Sequence, residues 1–232
     1  MSAETTADDD GQMHDPLADG FPVTSIGKAL FWLAVVFSGY QISIAAHIID
    51  LPSQVMRAVH VGFLMALGFP LLAIGKGYGA VWRNLCWAFA AVGVAVAAYQ
   101  WIEYQPLLFR AGDPNTIDLI FGCAAVATVF IAAWMLMGPA LPIICGLFLS
   151  YALFGQYLPS PLNHRGYAFE QVVEQIGYGT EGIYGIPVGV VATFVFHFVL
   201  FGIMAQLTGL GQLFVNLATI AAGRFAGGPA KV

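Results

Sequence analysis

Apolar residues fall in long blocks along this chain, separated by short clusters of Pro, Gly, Asp and Lys. A helix rising about 1.5 Å per residue needs roughly 20 mostly apolar residues to cross a hydrocarbon core about 30 Å thick. Six blocks meet or approach that length: residues 28–49, 59–74, 80–101, 117–137, 141–158 and 186–207. The pattern predicts an all-α integral membrane protein with about six transmembrane helices.

The breaks between blocks suit helix ends. Asp50-Leu51-Pro52-Ser53 closes the first block and opens the second, with Ser53 as the expected cap, because Pro52 has no N–H to donate. Gly75-Lys76-Gly77-Tyr78-Gly79 is a turn, and Ala111 to Thr116 leads into the fourth block. Gly138-Pro139-Ala140-Leu141-Pro142 is a tight reversal that makes spans four and five antiparallel neighbours.

Between residues 159 and 187 the period changes. Phe169, Val172, Val173 and Ile176 recur at helical spacing, with Glu170, Gln171, Glu174 and Gln175 opposite. Such a helix is too polar to span and is expected to lie in the interface. Its surroundings are rich in tyrosine, which suits the headgroup level.

Composition agrees with a bilayer as solvent. Of 232 residues, 59% are hydrophobic and 9% charged, against about 25% charged in soluble domains. Disorder, a disulfide scaffold and a nucleic-acid binder are excluded on that ground. The formal charge of −5 comes from the start of the chain: Glu4, Asp8, Asp9, Asp10, Asp15 and Asp19 precede the first base. Residues 1–27 are therefore expected to be an acidic disordered tail, which lacks the positive start of a secretory signal. With that terminus inside, Lys28, Lys76, Arg83, Arg224 and Lys231 face the cytoplasm, and Arg57, Arg110 and Arg165 the other side. Five against three favours cytoplasmic N- and C-termini.

Candidate chemistry is sparse. Cys86, Cys123 and Cys145 sit in apolar runs without metal-ligand spacing and read as small buried hydrophobes. Glu103 and Asp118 lie at span ends, where solvation or helix capping is expected. Gln41 and His47 belong to the first span, and His197 to the middle of the sixth, where a neutral imidazole can hydrogen-bond across a helix interface. No second mid-membrane histidine is read beside His197. The residues therefore suggest no catalytic site, no metal site and no cofactor.

Several stretches carry a resemblance: Leu158-Pro159-Ser160-Pro161-Leu162-Asn163-His164-Arg165-Gly166, Thr180-Glu181-Gly182-Ile183-Tyr184-Gly185-Ile186-Pro187, Ala192-Thr193-Phe194-Val195-Phe196, Ala111-Gly112-Asp113-Pro114 and Gly227-Gly228-Pro229-Ala230-Lys231-Val232. In that order, over residues 28–232, the sequence resembles the N-terminal part of the fused permease of TRAP transporters, TAXI-type. The resemblance implies a permease of the bacterial inner membrane that takes organic acids from a periplasmic binding protein, driven by sodium. Residues 28–138 correspond to its four-helix small-subunit-like region, and 139–232 to the start of the large subunit: two spans, the interfacial helix and a C-terminal helix. The re-entrant sodium and substrate sites are expected beyond residue 232, so the chain is expected to be a truncated or split scaffold part needing the remaining transport core as partner. His197 stands where that family is expected to be apolar.

Within the resembling stretches, Asn163, His164, Arg165, Gly166, Glu181 and Pro187 are structural or partner-docking candidates. Arg165 is the only base between Arg110 and Arg224 and is expected to pair with Glu170, Glu174 or Glu181. A competing reading is the membrane anchor of a redox enzyme, or another six-helix scaffold. A redox anchor would need paired mid-membrane histidines.

Overall fold

The computed structural model describes residues 24–76 and 78–222; most of the expected acidic tail and the terminal Gly227–Val232 stretch lie outside the described residues. The described residues form helices and turns without strands. Among the described residues six helices are long and apolar enough to cross a membrane, so the chain is a multi-pass membrane protein.

Helix α1 (Ser25–Ala45) starts where the Thr24 side chain accepts from the Gly27 N–H at 3.1 Å, three residues before the expected start. It ends before His47, which adopts φ 53° in the following turn and so lies outside the span. Helix α2 (Ser53–Gly75) begins six residues early: Pro52, extended at φ −53° and ψ 139°, takes the cap position, and Ser53 is the first helical residue rather than the cap. Pro70 lies inside α2, as membrane helices tolerate.

Helices α2 and α3 (Ala80–Ile102) form the closest pair. A Cβ placed on Gly62 would stand 2.6 Å from Ala97 Cβ, and one on Gly93 2.5 Å from Met65 Cβ. Small residues bring the two backbones together where lipid supplies no hydrophobic drive. Among the described helices, α2 consequently holds the largest share of buried residues.

A short helix, α4 (Tyr104–Phe109), which the hydropathy pattern does not show, turns the chain back. Helix α5 (Thr116–Met137) opens with a capping box of Asn115 and Asp118. The Gly138 reversal, at φ 82°, leads into α6 (Ala140–Phe154) and a final 3-10 turn, completing the fifth span Ala140–Tyr157. Spans four and five are the antiparallel neighbours expected.

The amphipathic helix appears as α7 (Phe169–Gly177), with Val172 and Val173 buried and Glu170, Gln171 and Gln175 exposed. It packs on α5, where a Cβ at Gly177 would stand 2.7 Å from the Gly122 carbonyl oxygen. The sixth span is segmented into α8 (Ile186–Val190), a π-helical stretch (Val191–Val195) and α9 (Phe196–Leu207). After Gly209 at φ 72° comes α10 (Leu210–Ala222), the expected C-terminal helix. Helix α9 buries no residue, and the large side chains it exposes suit lipid rather than water.

Candidate functional site

Three spans meet at one polar side chain. Gln41 of α1 is 0% exposed and His60 of α2 is 2% exposed. Gln41 Nε2 donates to His60 Nδ1 at 2.7 Å and to the Ala192 carbonyl at 3.0 Å. Flipping the amide would aim its oxygen at that carbonyl, so its orientation is fixed. His60 Nδ1 is then the acceptor, and its proton sits on Nε2. Ala192 belongs to the π-helical stretch, so the side chain from α1 meets the sixth span where its ladder is widened.

His197 completes the junction. Its Nδ1 lies 2.7 Å from the Thr193 carbonyl and its Nε2 3.1 Å from the Gln41 carbonyl. The cross-helix contact expected of His197 is therefore present, and its neutral ring donates to one of these two oxygens. The expectation of no second membrane histidine is corrected: His60 joins His197 through Gln41. Phe37 and Phe196 wrap the His60 ring at 5.2 and 6.5 Å between centroids. His60 Nε2 is buried without a hydrogen-bond partner, as is the Gln41 Oε1.

Helix α2 also holds the turn before the sixth span. Gln54 Nε2 donates to the Tyr178 carbonyl at 2.7 Å, and Arg57 Nη1 to the Tyr184 carbonyl at 2.9 Å. Gly189 fits beneath Arg57, since a Cβ there would stand 2.8 Å from its Nε. Burial pushes both phenols up, at Tyr184 alone and at Tyr178 reinforced by Glu174 and Asp118.

A second network ties α3, α4 and α5. Asp118, 0% exposed, accepts from Arg110 Nε at 3.0 Å, Arg110 Nη2 at 2.9 Å and the Asn115 N–H at 2.9 Å. The Tyr99 hydroxyl donates to the same carboxylate, and Arg110 Nη2 also reaches Glu103 at 3.1 Å. Hydrogen bonds to Asp118 first, then Glu103, push the Arg110 guanidinium further up. Capping was expected of Asp118 and occurs; solvation was the alternative, and its burial rules that out. Glu103, about a third exposed, does keep access to solvent.

The six candidates beyond span five do not converge. His164 Nε2 donates to the Tyr151 carbonyl at 2.9 Å, and its Nδ1 accepts from the Gly166 N–H at 3.0 Å. Gly166 takes φ 78°, which a glycine tolerates. Arg165 stands over the Tyr167 ring at 5.5 Å, and no ion pair joins it to Glu170, Glu174 or Glu181 among the described residues. Glu174 instead accepts from the Gly112 N–H at 2.9 Å. Asn163 and Glu181 are exposed, and Pro187 sits in the first turn of α8. Signals for Gln41 and His60 existed only as polar letters in apolar runs.

No group of three or more His, Cys, Asp or Glu able to hold a metal occurs among the described residues. The three thiols are free; Cys86 is buried as expected, whereas Cys145 is exposed on the apolar exterior.

Residues 124–232 match the family model of the tripartite ATP-independent periplasmic transporter, DctM component. The match starts inside α5 and covers α6 to α10, so this part of the chain is similar to the permease component of a TRAP transporter. That is a transporter family, not an enzyme family. Neither a curated protein nor a solved structure matched the chain.

Proposed function

We propose, from the permease match of residues 124–232, that this chain is the scaffold part of a sodium-driven, binding-protein-dependent transporter for organic acids. The match is the observation that carries the reading. The geometry supports it: buried polar contacts tie α1, α2 and the sixth span into one unit, as a rigid frame for moving parts requires. Residues 28–138 serve as the small-subunit-like region and residues from 139 as the start of the large subunit. A periplasmic binding protein and the other permease parts are the partners.

The test is uptake in the source cells. Deleting the gene should abolish sodium-dependent accumulation of at least one acid from a radiolabelled panel of mono- and dicarboxylates, and complementation should restore it. Unchanged uptake across the panel, with a haem-like absorption spectrum in the purified protein, would move the chain to the redox-anchor class.

The protein sits in the cytoplasmic membrane with both termini inside, a reading that rests on the five-to-three distribution of bases. In a cysteine-free background, Ser160→Cys should react with an impermeant maleimide in intact cells, and Gly79→Cys only after lysis. The reverse pattern inverts the topology.

A further inference from the structure

Helix α7 leans on α5 and leaves a gap against α6. The gap is a cavity of about 430 Å³ lined by Arg165, Tyr167, Gln171 and Gln175, with Val172 and Ile176 as its apolar wall. The same Val172 and Ile176 line a second cavity of about 310 Å³, which descends between α5 and α6 past Leu153 and Leu149. Phe130 closes that cavity and also borders a third, of about 410 Å³, reaching Gly146 and Pro142. The three follow one another along α6 as a groove divided at Phe130: a polar mouth with a single cation, then two apolar pockets.

Its dimensions fit one kind of molecule. From Leu153 to Pro142 the groove follows α6 for roughly 16 Å at about 1.5 Å per residue, close to half of the ~30 Å hydrocarbon thickness. That is the depth of one acyl chain in one leaflet. At the mouth, Arg165 has the Tyr167 ring and no carboxylate among its described contacts, so its charge is available to an anion. A guanidinium matches phosphate geometry, and the tyrosine and two amides beside it suit the headgroup level.

We propose that the α5–α6–α7 groove is a phospholipid site, with the phosphodiester on Arg165 and one acyl chain lying between α5 and α6. The bound chain fills the space left between the two antiparallel spans on either side of the Phe130–Gly146 contact. This site is independent of the transport reading, since it needs only the groove and a bilayer.

The test is native mass spectrometry of the full chain purified in mild detergent, then delipidated and titrated with palmitoyl-oleoyl phosphatidylglycerol. Wild type should keep one phospholipid under activation that strips the rest. Arg165→Gln should lower the retained fraction at least fivefold, and Arg165→Lys should keep most of it. Ala127→Phe, which fills the middle of the groove, should also lose the lipid without touching the cation. Circular dichroism establishes folding, and exposed Arg165 carries the test if Ala127→Phe does not fold. Equal retention in wild type and folded Arg165→Gln overturns the proposal. So does a lipid-free dimer that Ala127→Phe dissociates, which would show a second copy of the chain in the groove.

Discussion

Gln41 on the first span and His60 on the second meet side chain to side chain, Nε2 to Nδ1 at 2.7 Å, and both are sealed from the exterior. The same amide continues to the Ala192 carbonyl of the sixth span. One residue thus links a helix near the start of the chain to one near its end. Interhelical hydrogen bonds of this type average about 0.6 kcal/mol in membrane bundles and reach about 1.7 kcal/mol.

Because Gln41 serves two partners at once, Gln41→Leu should cost about 1–3 kcal/mol, the range for leaving buried polar groups unpaired. A double-mutant cycle with His60→Phe, read by unfolding in mixed micelles, should show non-additivity of about 0.5 kcal/mol or more. Strict additivity would mean that the contact carries no coupling, and the three-span junction would lose its energetic content.

The Asp118 network predicts a larger loss. Its carboxylate is buried and accepts from Arg110 and from the Asn115 N–H at the start of α5. Asp118→Ala removes the main partner of Arg110 and the carboxylate half of the capping box, while the Asn115 side chain keeps its bond to the residue-118 N–H; the loss is expected to reach at least the roughly 1.5–3 kcal/mol of a hydrogen bond to a charged group. Glu103→Gln, on the partly exposed side of the same arginine, should cost under about 1 kcal/mol. Comparable melting temperatures for the two variants would contradict this ranking of buried over exposed contacts.

How much of this was legible in the sequence divides along a physical line. Hydropathy over some 20 residues marks the spans, because lipid forces that length on any helix that crosses it. Period 3.6 marks α7 for the same local reason. Ser53 and the α2 start were misjudged because capping depends on Pro52 backbone geometry rather than on residue type alone. His60 was passed over because a single polar letter scarcely moves a window average, and its meaning depends on Gln41 nineteen positions earlier. The π-helical stretch in Val191–Val195 has no compositional mark. Arg165 drew the wrong partner because charge counting along a loop ignores the Tyr167 ring beside it.

Alkaline pH offers a test of the buried tyrosines in the turn before span six. Burial raises the phenols of Tyr178 and Tyr184 above the ordinary value of about 10. As pH climbs past about 10 the unfolded chain releases these protons first, while the folded chain still holds them. The folded state then binds more protons, so stability falls with rising pH. Melting temperature should drop between pH 9 and pH 11, and Tyr184→Phe should make that drop shallower. An identical slope in the variant would show that Tyr184 does not contribute.

The loop after span five should owe its order to His164. Its ring bridges the Tyr151 carbonyl, at the end of α6, and the Gly166 N–H, two residues onward. Gly155 packs directly beneath it: a Cβ there would come within 2.1 Å of His164 Nε2, so this glycine makes room for the ring. The Tyr151 hydroxyl adds a bond of 2.8 Å to the Leu162 carbonyl, so the loop is held at both ends by one aromatic pair. His164→Ala removes both ring contacts and should free the exposed Arg165 peptide bond for trypsin. Cleavage there should accelerate about tenfold, corresponding to roughly 1.4 kcal/mol of local opening. The melting temperature of the spans should change little, because the loop buries few side chains. Gly155→Ala should copy the effect by pushing the ring out of place. If neither variant speeds cleavage, the order of the loop comes from elsewhere, and His164 is free to serve a docking partner instead.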